Sequence, residues 1–348
     1  MLIGTGFGAQ HALWLSQFQG IELCGLAYFS DRDQALAVQS RYGIVELSDD
    51  AGSMILSGRY DLIVITSPPS THLHLMRVAA KASVAVVLEK PVAESVEVAE
   101  EIGMIARATG KPAYIFFQWR LHPAVQKLRE FVISGEFGVV THFDADFCHD
   151  FLGGNHTLWP WRHTAGSAGA GALADMGVHL FDLLRFISAE EWSIKSADLG
   201  VAHPMRSAEG KDIECDADDF ANVYLVNAAE ARTARVSVSR VAVGTTQLSF
   251  RMYGPNGTAA LLINVANGNG CLQFEIRGSS KIEETYTGGL NPYDYIIPAI
   301  QANQKVGSVV PASIADGIAA QKLMCASVHA GKKISTSLST EILSCQVQ

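Results

Sequence analysis

Val84-Ala85-Val86-Val87-Leu88 is an unbroken apolar run, rich in β-branched residues, and Glu89, Lys90 and Pro91 follow it at once. A strand apolar on both sides must be covered on both faces, a surrounding found in parallel sheets flanked by helices. Pro91 ends the run by removing a backbone donor. In open α/β sheets the ligand crevice lies just past the carboxyl ends of the strands. Glu89 and Lys90 therefore stand where a site would be, or else they form a solvated pair that caps a strand.

The residues before this run carry a nucleotide-binding pattern. Leu2 and Ile3 lead into Gly4-Thr5-Gly6-Phe7-Gly8-Ala9, a GxGxxA arrangement, and helix-compatible sequence continues from Gln10 to Gln19. Glycines at the first two positions permit a tight turn and a close approach of the backbone to a pyrophosphate, which the free amides of the helix start then bind. Only Met1, Leu2 and Ile3 precede the turn, against about five or six residues in a usual strand. A strand over 21–29 comes next and ends in Ser30-Asp31-Arg32. Asp31 falls near the position of the acid that binds the ribose hydroxyls of NAD, while Ser30 and Arg32 offer a hold for the extra phosphate of NADP. Asp31 reads equally well as the cap of the helix starting near Gln34.

The alternation continues as helix 33–42, strand 61–66, helix 71–82, strand 84–88, helix 95–109 and strand 113–117, which is doubly wound βα sequence. Thr66, Ser67 and Pro68 follow their strand at the cofactor edge. His72 counts among the cofactor candidates too, as a helix-start or packing residue rather than a catalyst. A length of 348 residues suggests two domains, and a 48% hydrophobic composition supplies their cores. We place the boundary at 119/120: a dinucleotide-binding Rossmann domain over 1–119 and a substrate-binding and oligomerisation domain over 120–348.

Several classes are disfavoured. A net charge of −9 without a basic block argues against nucleic acid, and no apolar run is long enough for a membrane span. Nothing at the N-terminus resembles a signal peptide. Cys24, Cys148, Cys215, Cys271, Cys325 and Cys345 are scattered without a CxxC pair, as expected of reduced thiols in a cytoplasmic protein.

Past the last strand of the first half come Gln118 and Arg120, a helix over 124–133 and a strand over 139–147. The loop 152–167 is rich in Gly, His, Trp and Thr. In it, Trp159 and Trp161 offer stacking surfaces for a sugar or the nicotinamide, and Arg162 a hold on a hydroxyl or phosphate; the ordinary alternative is that the tryptophans pack the loop onto the core. The stretch from Gly169 to Leu184 reads as a helix opened by small residues, with Asp175, His179 and Asp182 on one face at i, i+4, i+7. Three ionisable groups on so apolar a helix are costly unless paired or used. A carboxylate beside His179 would fix its tautomer and favour its protonated form, as a proton shuttle requires, or the three would be a buried structural triad. From about 190 the chain turns β-rich, with strands at 192–201, 220–228, 231–241, 247–253, 258–264 and 271–277 and a hairpin turn at 254–257, then helices at 294–303 and 313–329.

Taken in order, GTGFGA at 4–9, TSPPSTH at 66–72, LEKPVA at 88–93, QWRLHPAVQKLRE at 118–130, WPWR at 159–162 and GALADMGVHLFDLLRF at 171–186 resemble the Gfo/Idh/MocA oxidoreductases. The resemblance implies an N-terminal Rossmann domain and a C-terminal α+β domain on a large open, mainly antiparallel sheet, a homodimer or homotetramer formed through that sheet, and NAD- or NADP-linked redox chemistry on a sugar, cyclitol or similar polyol. It places Lys90 opposite Asp175 and His179 across the cofactor cleft and implies no metal. The expected catalytic residues are Lys90, Asp175 and His179, with Asp175 orienting His179. The expected substrate contacts are these three with Arg120 and Trp159. Cofactor contacts are expected from Gly4, Gly6, Phe7, Gly8, Ala9, Ser30, Asp31, Arg32, Thr66, Ser67, Pro68, His72, Glu89, Lys90, Gln118, Trp161 and Arg162. Family members commonly carry Asn where Pro69 stands. A regulator of the same fold that senses NAD(P) or a sugar, and an enzyme using tightly held NAD for transient sugar oxidation, are the alternatives.

Overall fold

The computed structural model describes residues 1–157, 160–165, 170–208, 210–302 and 309–334, with the backbone alone at 160, 161 and 334. Trp159 and Cys345 lie outside the described residues, as does the side chain of Trp161.

The first half is a six-stranded parallel sheet with strand order β3-β2-β1-β4-β5-β6. Its strands are β1 (Leu2–Ile3), β2 (Gly25–Ala27), β3 (Glu46–Ser48), β4 (Leu62–Ile65), β5 (Ala85–Leu88) and β6 (Ala113–Ile115). Helices α1 (Gly8–Gln17), α2 (Arg32–Tyr42), α3 (Ala51–Leu56), α4 (Pro69–Ala82) and α5 (Val96–Thr109) connect them. The side chains of the central strands divide between two apolar clusters. Leu2, Val64 and Val87 join Ala12 and Leu15 of α1 on one face, while Ile3, Ile65, Val86 and Leu88 join Leu75 and Ile102 on the other. Burial on both faces is what the apolar run at 84–88 demands.

β1 is as short as its sequence, and the strand expected over 21–29 shrinks to the three residues of β2. β3 and α3 were not anticipated. β3 is only three half-buried residues, and α3 is a single short stretch started by the Asp50 side chain, which accepts from Ser53 N–H at 2.9 Å.

The second half begins with α6 (Pro123–Ser134) and builds a nine-stranded mixed sheet in the order β16-β15-β14-β13-β7-β12-β11-β8-β17. Its members are β7 (His142–His149), β8 (Trp192–Gly200), β11 (Phe220–Asn227), β12 (Thr233–Ser239), β13 (Thr246–Gly254), β14 (Gly257–Asn264), β15 (Gly270–Ile276), β16 (Ile282–Tyr286) and β17 (Gly331–Ile334); β9 (Met205–Ala208) and β10 (Lys211–Glu214) pair separately. β7 runs parallel to β12 and β17 parallel to β8, and the other pairings are antiparallel. Alternation sorts the faces. Phe143, Ala145 and Phe147 of β7 share a core with Leu180, Phe181 and Leu184 of α7 (Val178–Ser188), whereas Asp144 and Asp146 meet Arg235 on the opposite face at 2.8 and 3.0 Å.

The last helices return to the first half. Tyr293, Ile296 and Ile297 of α8 (Tyr293–Ala302) pack into the cluster of Leu2, Val64 and Val87, and Gln321 of α9 (Ile314–Ala330) exchanges hydrogen bonds with both backbone groups of Ala93.

Candidate active site

The strand order reverses between β1 and β4, and the glycine turn sits there. Gly4 has φ +102°, and a Cβ on it would lie 2.9 Å from Thr66 Oγ1; glycine is the residue that tolerates both. Thr66 Oγ1 donates to Ile3 O at 2.9 Å and so ties the end of β4 to this turn. At Gly6 a Cβ would meet nothing, only the open space in front of α1, whose N-terminus carries no side-chain cap. Uncapped amides facing a cradle that a side chain would fill fit a dinucleotide pyrophosphate. Gly8 and Ala9 begin that helix and Phe7 projects into solvent beside it.

Beyond β2, Ser30, Asp31 and Arg32 are exposed. Asp31 is the cap of α2, its Oδ1 accepting from Gln34 N–H at 2.8 Å. Thr5 of the glycine turn also reaches Gln34, at 3.2 Å, which puts the start of α2 at the rim of the same crevice. Pro68 is exposed at the rim after β4. Ser67 is buried, with its hydroxyl on Thr71 Oγ1 at 2.6 Å.

Two expected cofactor contacts belong to the frame instead. His72 is wholly buried, with one ring nitrogen 2.9 Å from Ser67 O and the other 3.0 Å from Val92 O. It clamps the loops after β4 and β5 together and has no surface left for a ligand; burial lowers its pKa below the ordinary histidine range. Glu89 is buried too, with Oε1 accepting from His11 at 2.9 Å and Oε2 from the Lys90 amide at 3.0 Å. Arg120 likewise is no substrate contact. It lies buried against both carboxylate oxygens of Asp182 and donates to Asp316 Oδ2 at 3.1 Å. Gln118 is half-buried in the turn Gln118–Leu121 between the two halves.

Lys90 and His179 are brought together. Half-buried Lys90 donates from Nζ to the Asp175 carbonyl at 2.9 Å. His179, on the first turn of α7, is buried between the rings of Phe117 and Phe147, at 5.5 and 6.3 Å. Burial first, and then the Lys90 ammonium, push its pKa well below the ordinary value. Its Nδ1 has no hydrogen-bond partner among the described residues, so no carboxylate steadies an imidazolium there.

The shared stripe of Asp175, His179 and Asp182 is not formed. Residues Leu173–Gly177 make a π-turn rather than an α-helical one, and a wider turn displaces whatever precedes it from the α register. Asp175 therefore faces Arg162 Nη1 at 2.6 Å and Arg240 Nη1 at 3.5 Å instead of His179. Asp182 turns inward to Arg120, and burial raises its pKa to about 6 against the pull of that guanidinium. The π-turn has its own anchor in Asp218, which accepts from Gly171 N–H at 2.7 Å and Leu173 N–H at 3.0 Å. Arg162 lies in the short turn Pro160–His163, to which Trp161 contributes backbone.

His11, Asp218 and Arg240 were missed, and Tyr293, a residue that could reach the cleft, reads in the sequence as mostly structural. His11 meets Tyr293 where a helix and a tail come together without any local pattern to announce it, and Asp218 and Arg240 reach the π-turn only because β11 and β12 pair beside it.

A model of the NAD-binding Rossmann oxidoreductase family matches residues 1–117, and one of the GFO/IDH/MocA C-terminal domain matches residues 125–260. The chain belongs to the Gfo/Idh/MocA family. It is thus an NAD(P)-dependent oxidoreductase. Levoglucosan dehydrogenase of Pseudarthrobacter phenanthrenivorans is 24% identical over 75% of this chain and 71% of its own length. D-glucoside 3-dehydrogenase of Escherichia coli is 30% identical over 53% of this chain and 52% of its own. Among solved structures, a levoglucosan dehydrogenase in complex with NADH superposes with a TM-score of 0.82 at 21% identity, covering 94% of this chain and 95% of the other, which shows the common fold.

Proposed function

We propose that the protein oxidises, and in reverse regenerates, a secondary alcohol of a sugar, cyclitol or related polyol, with Lys90 and His179 as catalytic residues. The observation that carries this reading is a buried imidazole without an acidic partner beside an ammonium that enters from the other half of the chain. A bound nicotinamide supplies the hydride acceptor. The turn Gly4–Ala9, the loop Thr66–Pro68 and the start of α2 are the residues that would hold the dinucleotide.

His179, uncharged, accepts the hydroxyl proton as the alcohol becomes a carbonyl. The Lys90 ammonium stabilises the negative charge that grows on the oxygen. Asp175 contributes through its main chain, fixing Lys90 Nζ, while Arg162 and Arg240 fix its carboxylate. In reduction the imidazolium formed at His179 returns the proton.

The relatives named levoglucosan, D-glucoside and D-apiose dehydrogenases support a carbohydrate substrate. The decisive experiment follows reduced-nicotinamide absorbance while levoglucosan, methyl β-D-glucoside, D-apiose and myo-inositol are offered with NAD and with NADP. Turnover of at least one is expected; cofactor binding without turnover of any would favour a sensor. Lys90→Met is expected to lower turnover by about 10²-fold or more, and full activity in that variant would remove Lys90 from the reaction.

We place the division between cofactor and substrate domains at 119/120. The polar outer face of the nine-stranded sheet, with Arg235, Asp144, Asp146 and exposed Tyr224 and Tyr253, is the proposed contact of a homodimer or homotetramer. Light scattering that gives a monomer mass would remove it. The described cysteines are free, which agrees with a reducing compartment such as the cytoplasm.

A further inference from the structure

Behind Lys90 lies a buried chain of polar groups that the hydride transfer itself does not use. Tyr293 and His11 have no exposed surface. The Tyr293 hydroxyl is 2.6 Å from His11 Nδ1, His11 Nε2 is 2.9 Å from Glu89 Oε1, and Glu89 Oε2 accepts from the Lys90 amide at 3.0 Å. One arrangement of protons satisfies every contact: the phenol donates to Nδ1, and Nε2–H donates to the carboxylate. Burial and then the Glu89 charge raise the Tyr293 pKa well above 10, so the phenol keeps the proton this arrangement needs. Aromatic edges pack the chain on its flanks, with Phe116 at 4.2 Å and Trp14 at 5.6 Å from the His11 ring.

Three separate elements meet here. His11 stands in the first turns of α1, whose N-terminus faces the pyrophosphate cradle; Glu89 directly follows β5; and Tyr293 opens α8, tied nearby by Asn291 Nδ2 donating to Trp14 O at 2.9 Å. A network with every member paired in a dry setting is rigid, and loss of one member is felt by the rest.

We propose that Tyr293 and His11 are positioning residues for Lys90: they hold the Glu89 carboxylate, and Glu89 holds the main chain from which the Lys90 ammonium reaches the cleft. This rests on the reading of Lys90 as the group that stabilises the substrate oxygen. Its tests are arranged so that the two stand or fall separately.

The first readout needs no substrate. Apo protein is reductively methylated with formaldehyde and cyanoborohydride, and the rate at each lysine is followed by mass spectrometry. Tyr293→Phe and His11→Ala are expected to speed labelling of Lys90 about threefold or more, with Lys127 and Lys322 unchanged as internal controls. His11→Gln, whose amide can still donate to Glu89, is expected to stay near the wild-type rate even if His11→Ala folds poorly. Unchanged labelling of Lys90 in Tyr293→Phe overturns the proposal. So does faster labelling at all lysines, which reports general loosening.

The second readout is a double-mutant cycle in turnover, with levoglucosan or, failing that, methyl β-D-glucoside as probe. Tyr293→Phe is expected to lower kcat about tenfold in the wild-type background, since small misplacements of a catalytic group are costly, and to have no further effect in Lys90→Met. KM for the sugar and the Kd of NADH by fluorescence are expected to stay within about twofold of wild type. An equal loss in both backgrounds refutes the coupling, whereas an active Lys90→Met refutes the catalytic reading and leaves the labelling result standing.

Discussion

A histidine that is to take a proton from an alcohol must be uncharged when the alcohol arrives, and two features keep His179 so: burial and the Lys90 ammonium. For the oxidation, kcat/KM is therefore expected to stay level as pH falls from 7.5 to 6, since a depressed pKa delays protonation of the base to a more acid pH. A decline centred at or above the ordinary histidine pKa would mean that His179 is paired with an acid after all. The types and positions of Lys90, Asp175 and His179 were legible in the chain, because ionisable residues at the end of an apolar strand and on an apolar helix are costly there. Their partners were not. Asp175 was expected to orient His179, yet two arginines hold its carboxylate, one of them from the end of a strand far along the sequence.

The error behind that expectation lies at the level of the element. Stripe arguments assume 3.6 residues per turn, and the five residues Leu173–Gly177 do not obey it. Just before them, a Cβ on Gly171 would sit 1.9 Å from Asp218 O, so the chain enters the π-turn pressed against another backbone. Gly171→Ala is expected to destabilise the protein by about 1–3 kcal/mol or more, as overpacking of a dry contact does. Calorimetry would check it, and an unchanged Tm would mean the contact yields easily. Unbroken apolar runs in the first sheet and alternation in the second made most strands readable, while β3, β9, β10, β16 and β17, short or only partly buried, left too little pattern. His72 shows the same limit from the other side. Its sequence neighbours put it at the cofactor edge, and only tertiary packing turns it into a clamp between two carbonyls.

Across the whole molecule, His72, His122, His163 and His179 all have pKa values lowered by burial, His163 to about 4. The sign follows directly. Below about pH 6.5 the unfolded chain takes up protons that the folded one refuses, so stability is full above that pH and is lost on acidification, by up to about 1.4 kcal/mol per pH unit for each histidine. Asp182 and Asp218, whose pKa values burial raises, act in the opposite sense at lower pH. Tm is therefore expected to fall between pH 7.5 and 6, and less steeply in His163→Asn. A Tm that climbs over that interval would contradict the assignment.

The return of α8 onto the first sheet has a further consequence. Leu2, Val64 and Val87 are sealed by Tyr293, Ile296 and Ile297, residues that leave the ribosome after eight of the nine strands of the large sheet. The nucleotide module is thus no detachable cassette: expressed as 1–119 alone it would show water a greasy wall, and a chimaera that borrows it from this chain must bring the late helix along.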